Sequence, residues 1–227
     1  MTKRVLTVVG FLIVVLVFVE IIGLLQLRAS LASYAAYWRE RSSQPGEITY
    51  VALGDSAAQS IGATRPQKGY VGLLAARLEA QSGQTVRVVN LSVSGAKIRD
   101  VIDKQIPQLQ NYDPDFVTIE IGANDIVSFE AKKFEADYAE LVPLLPKNTV
   151  IATMPNFGGR IERTAAVASA NQIIIAAAEE PALPVADLYG YTKSRESPLA
   201  YAADFFHPNN RGHKNWADAF WAVLQRL

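Results

Sequence analysis

The strongest constraint on the fold is an alternation. Five short apolar runs, Ile48–Leu53, Val86–Leu91, Phe116–Ile121, Val150–Met154 and Pro184–Leu188, are separated by stretches of helical periodicity. Each run is bounded by turn residues, as buried parallel strands are. Between them, Leu74 and Leu78 share one face of Tyr70 to Ala80, and Phe134, Tyr138, Leu141 and Leu145 recur at helical spacing. Thr164 to Glu180 is continuous and alanine-rich, and the last segment puts Trp216, Phe220, Val223, Leu224 and Leu227 on one stripe. This order predicts an α/β fold: a five-stranded parallel sheet with helices on both faces, a three-layer α/β/α, flavodoxin-like arrangement.

A hydrophobic helix precedes this domain. After Lys3-Arg4, Val5 to Leu27 is apolar except for Thr7, Glu20 and Gln26. At about 1.5 Å per residue the stretch is long enough for a hydrocarbon core of about 30 Å. A cleaved signal segment is the rival, with small residues at Ser30-Leu31-Ala32. Glu20 favours cleavage, because an acidic residue deep in a span costs about 3 kcal/mol; total length favours an anchor. Arg28, Arg39 and Arg41 follow the span, so flanking charge does not fix orientation. The signal-like opening leads us to expect an extracytoplasmic domain. Residues 28–41 read as a helical stalk and 41–46 as a polar linker, dividing the chain into an anchor or signal segment with stalk (1–41) and a folded domain (42–227).

Composition narrows the chemistry. The formal net charge is zero, without the basic excess of a nucleic-acid binder. No cysteine is present, which removes disulfides, thiolate metal sites and a cysteine nucleophile. Two histidines cannot build a three-histidine metal site, and neither a H-E-x-x-H motif nor a phosphate-binding loop occurs. No metal, cofactor or nucleic-acid partner is expected.

Ligands of such sheets bind beyond the carboxyl ends of the strands. Polar motifs gather there: Gly54-Asp55-Ser56, Asn90 to Gly95, Gly122-Ala123-Asn124-Asp125, Pro155-Asn156-Phe157-Gly158-Gly159, and Asp204 and His207 before the last helix. A serine hydroxyl becomes a nucleophile when a base takes its proton. Ser56 is the candidate nucleophile, His207 the candidate base, and Asp204, three residues earlier, the group that would orient the ring and stabilise the imidazolium. Ser56 is expected to open a helix whose N-terminus favours developing negative charge. Asn156 and Phe157 are candidates to line an acyl pocket, although a plain turn explains them equally well. Asp125 reads as structural, His213 as solvated early in the last helix, and Trp216, Phe220 and Trp221 as core or interface.

In order, these blocks resemble the GDSL/SGNH hydrolase family over residues 48–215: Ser56 in Gly-Asp-Ser, Gly95 in the asparagine-to-glycine block, Asn124 in G-x-N-D and His207 in D-x-x-H. The leucine of the family's older name is replaced by Ala57, and Ser92 stands where glycine is common. The resemblance implies a serine esterase acting through an acyl-Ser56 intermediate, with the backbone N–H groups of Ser56 and Gly95 and the Asn124 amide as oxyanion donors. It implies a lipid, lysophospholipid or small acyl ester as substrate, of lysophospholipase or thioesterase type. Short connections leave no room for a separate lid domain, which suggests an open, shallow site. A cell-surface carbohydrate O-deacetylase, an acyltransferase, or a silent membrane-tethered binding module of the same fold are the alternatives.

Overall fold

The computed structural model describes residues 2–158 and 163–227. Five parallel strands, β1 (Ile48–Gly54), β2 (Val86–Asn90), β3 (Phe116–Glu120), β4 (Thr149–Ala152) and β5 (Val185–Ala186), form one sheet in the order β2-β1-β3-β4-β5. This is the expected flavodoxin-like order, with its switch point between β1 and β3.

Alternate residues of the buried strands face two cores. Val51, Leu53, Val117, Ile119 and Ile151 point to one face. There they meet a helical segment over residues 98–109 (α3), α4 (Ala131–Leu141) and α5 (Thr164–Glu179). Tyr50, Ala52, Val88 and Val150 point to the other face. Its cover is α2 (Tyr70–Ser82), α6 (Leu188–Ser194) and α7 (Asn210–Leu224). Along α7, Trp216, Phe220 and Leu224 are buried as the stripe predicts, but Leu227 lies past the helix end and is exposed.

The N-terminal helix α1 (Thr2–Ser42) is continuous, so no break separates the apolar run from the stalk. Its described apolar residues up to Leu25 are exposed, which agrees with an anchor or a signal segment alike. The last third lies on the domain. Tyr34 OH donates to Ala63 O (2.8 Å), Trp38 Nε1 to Gln59 O (3.1 Å) and Arg41 Nη2 to Val86 O (2.9 Å). Trp38 is buried in the second core.

These contacts fix a direction. Arg41 and Ser42 sit at the start of β2, where Arg87 Nε donates to Ser42 O (3.0 Å). Tyr34 reaches the loop beyond the carboxyl end of β1, and Gly23 packs on Ala203 so closely that a Cβ there would lie 2.6 Å from the alanine methyl. The helix therefore runs antiparallel to the strands, and its apolar part projects past their carboxyl edge. At β2, an edge strand, Glu79 accepts from Val86 N (3.2 Å) while Arg41 donates to Val86 O.

Candidate active site

The chain after β1 turns sharply. Gly54 has φ +139, and a Cβ there would meet Glu120 O at 2.4 Å, so only glycine fits. Gln105, at the end of a π turn in α3 (Val101–Gln105), clasps this corner from both sides. Its Nε2 donates to Gly54 O (2.8 Å) and its Oε1 accepts from Gly54 N (2.9 Å). Ser56 does not open a helix: residues 55–62 form successive turns closed by Gln59 N→Asp55 O and Ile61 N→Ser56 O. Ser60 and Gly62 adopt positive φ there, which an α-helix excludes. The helix-dipole contribution expected at Ser56 is therefore absent.

Ser56, His207 and Asp204 come together in series. The Ser56 Oγ lies 2.9 Å from His207 Nε2, and His207 Nδ1 lies 2.5 Å from Asp204 Oδ2. A carboxylate at Nδ1 requires the proton there, which leaves Nε2 to accept from the Ser56 hydroxyl. Asp204 Oδ1 accepts from Phe206 N and His207 N (both 3.0 Å), fixing the turn that carries the ring. Burial works to raise the Asp204 carboxyl, but the His207 ring and these N–H groups prevail and hold it below the ordinary carboxylate range.

Gly95 is exposed at φ +81, and among the described residues neither its N–H nor that of Ser56 has an acceptor. Asn124 lies between the two blocks. Its Nδ2 donates to Asp55 Oδ2 (3.0 Å) and to Ala96 O (2.9 Å), tying the neighbour of Ser56 to the neighbour of Gly95. Both amide hydrogens are thus engaged in the free protein. Gln59 holds the same loops together through Ser92 O (2.7 Å) and Ser94 Oγ (2.6 Å). Asp125 accepts from Ile98 N (3.2 Å), in keeping with a structural reading.

A layer of buried acids lies beneath the serine. Asp55 is pushed up to about 6, chiefly by burial, against the Ala57 N–H that its Oδ1 accepts (3.0 Å). Glu120 is fully buried, neither carboxyl oxygen has a hydrogen-bond partner among the described residues, and burial and then Asp55 push it well above the ordinary range. His213 is fully buried rather than solvated, because α7 packs it against α2: its Nδ1 accepts from Tyr70 N (3.3 Å) and its Nε2 faces Ile61 O (3.0 Å). Burial depresses it to about 4.

The serine opens into a cleft walled by Pro155, Phe157, Tyr201, Phe206 and Trp216. Phe157 stacks on Phe206 (centroids 6.0 Å apart), and Phe206 meets the His207 ring edge-on. The cleft is partly open, and its water-accessible volume is about 40 Å³, room for roughly three waters. Asn156 also lines it, but its side chain is turned to Glu196 Oε2 (3.1 Å) and Gly158 N (3.3 Å). Gly159, at the end of this block, falls outside the described residues. Tyr201, Phe206 and Gln105 carried no sequence motif; only their nearness to the blocks could have marked them. Trp216 is core, as read, and also forms part of the cleft wall. Among the described residues no group of three or more His, Asp or Glu side chains is placed to hold a metal ion.

Sheet order and strand-end site together define an SGNH-type hydrolase. The chain belongs to the GDSL-like Lipase/Acylhydrolase family, whose profile matches residues 52–214. No curated protein matches the chain. Among solved structures it is similar to Axe2, an acetylxylan esterase from Geobacillus stearothermophilus (25% identity, TM-score 0.63, covering 78% of this chain and 94% of that one). It also resembles TesA (20%, TM-score 0.67, 78% and 98%). A third is the psychrotrophic esterase EstA from Pseudoalteromonas sp. (19%, TM-score 0.65, 79% and 98%). The two at lower identity speak to fold alone.

Proposed function

We propose that this esterase-type hydrolase cleaves acyl esters through an acyl-Ser56 intermediate. The observation that carries the reading is the unbroken series Ser56 Oγ, His207 Nε2, His207 Nδ1, Asp204 Oδ2 at 2.9 and 2.5 Å. His207 takes the Ser56 proton as Oγ attacks the ester carbon, and Asp204 stabilises the imidazolium. The imidazolium then returns the proton to the leaving alkoxide. A water deprotonated by His207 attacks the acyl-enzyme, releasing the acid and restoring the Ser56 hydroxyl. The oxyanion is met by the N–H groups of Ser56 and Gly95, which have no competing acceptor among the described residues. Asn124 joins them by exchanging one of its two present acceptors. Phe157 lines the acyl side of the cleft, and Asn156 shapes its rim. The N-terminal helix attaches the enzyme to a membrane, with the domain on the extracytoplasmic side.

The test is a fluorophosphonate probe on the full chain in detergent. Ser56→Ala is expected to abolish labelling and ester hydrolysis, and Asn124→Ala to lower kcat about 100-fold or more while labelling persists more slowly. Folded wild type that does not label overturns the reading and leaves a tethered binding module. Labelling with acyl transfer to an added alcohol in preference to water would identify an acyltransferase.

The likeness to Axe2, an acetylxylan esterase, favours a second substrate reading, a carbohydrate O-deacetylase. Hydrolysis of acetylated xylo-oligosaccharides, compared with lipid esters, separates the two.

A further inference from the structure

The geometry points to a catalytic cleft held against the lipid surface, with its lip formed by residues 198–208, and hence to a membrane-resident acyl ester as substrate. The inference rests on the esterase reading for the substrate and on α1 remaining uncleaved for the placement.

Direction is the first argument. The helix α1 is fastened to the domain by Tyr34, Trp38 and Arg41, three side chains on one face, so it is a rigid extension rather than a loose tether. It runs antiparallel to the strands and leaves the domain at their carboxyl edge. Ser56, His207 and the cleft occupy that same edge. A membrane crossed by the apolar part of α1 therefore faces the site and not the opposite end of the sheet.

Depth is the second. Val5 to Leu25 spans about 30 Å at 1.5 Å per residue, the thickness of a hydrocarbon core. Gly23, which packs on Ala203, lies about 3 Å inside the end of that stretch. The loop carrying Ala203 thus sits at the boundary between hydrocarbon and headgroups.

The third is what this loop displays. Leu199 and Phe205 are 72% and 55% exposed, while their neighbours Tyr201 and Phe206 turn inward to wall the cleft. Phe205 is held at φ +54, a left-handed conformation that an aromatic residue adopts at a cost. The turn keeps its ring outside while Asp204 and His207 on either side form the relay. An apolar ring on a strained turn at headgroup depth suits an interfacial anchor. The cleft is open to solvent rather than closed over, so the remainder of a larger substrate extends out of it. On this geometry the bilayer supports it.

The chain lacks cysteine, so Phe205→Cys and Lys147→Cys each supply a single thiol for an environment-sensitive NBD label. Lys147 is exposed near Ile48, at the amino edge of the sheet. In phosphatidylcholine vesicles containing doxyl-labelled lipid, the label at 205 is expected to be blue-shifted and quenched, and the label at 147 neither. Equal responses at the two positions overturn the placement.

The second arm compares p-nitrophenyl butyrate in solution with lysophosphatidylcholine in the vesicles. Leu199→Ser/Phe205→Ser is expected to keep butyrate turnover within about twofold and lose at least about tenfold on the vesicle-borne ester. Equal effects on both substrates, or wild type cleaving butyrate and acetylated oligosaccharides but no vesicle-borne ester, overturn the substrate assignment. Butyrate hydrolysis that survives Ser56→Ala would instead defeat the esterase reading, while the labels still report where the loop lies.

Discussion

At the residue scale, the buried ionisable groups make stability depend on pH in two opposite ways. His213 is depressed to about 4, so below the ordinary histidine range the unfolded chain takes up a proton that the folded chain refuses. Its contribution is complete above about pH 6.5 and falls as pH drops toward 4, by about 3 kcal/mol. Glu120 is raised, so its contribution is complete below the ordinary carboxylate range and falls as pH rises. Denaturant midpoints of the full chain in detergent should show both slopes. His213→Gln is expected to flatten the acid side, and Glu120→Gln to raise the midpoint at pH 8 with little change at pH 4.5. Unchanged slopes would mean that neither group titrates as its burial requires. Neither behaviour was legible in the sequence. A histidine early in an amphipathic helix reads as solvated until α2 is seen to cover it, and a glutamate ending a strand shows no sign of lacking partners.

At the element scale, strands were legible because burial on both faces leaves an unbroken apolar run, and each run ends where polar chemistry begins. The hydrogen-bonded series was legible from short motifs: Ser56 directly follows β1, and Asp204 and His207 lie three apart in the loop before α7. Two features were not. The turn series after Ser56 depends on positive φ at Ser60 and Gly62, where a serine gives no local cue. The π turn of α3 leaves no periodic trace, yet it presents Gln105 to Gly54. Gln105→Leu keeps the Val93 N–H on Gly54 O (3.2 Å) but strips the Gly54 N–H of its acceptor. A loss of about 1–3 kcal/mol in stability is expected. If Gln105 positions Ser56, kcat should also fall with KM nearly unchanged, and Gln105→Glu, which retains the acceptor, should recover part of it.

At the scale of the whole molecule, the apolar run of α1 was legible, but its union with the domain was not. Trp38 belongs to the second core, and a stalk followed by a polar linker gives no hint of that. A fragment of residues 31–227 is expected to melt within about 2 °C of the full chain. One of residues 44–227, lacking Tyr34, Trp38 and Arg41, should melt about 10 °C lower, given about 3–5 kcal/mol for the tryptophan alone. Similar melting of both fragments would show the docked turns to be dispensable. A product cleaved near Ser30-Leu31-Ala32 would keep this fastening and lose only the apolar part. The same docking bears on self-association. At the β2 border, Arg41 and Glu79 occupy the backbone groups of Val86 that a foreign strand would seek, and at the other border β5 has only two residues to offer. Both margins of the sheet are poor templates for strand addition. The protein can therefore be concentrated without its sheets joining edge to edge.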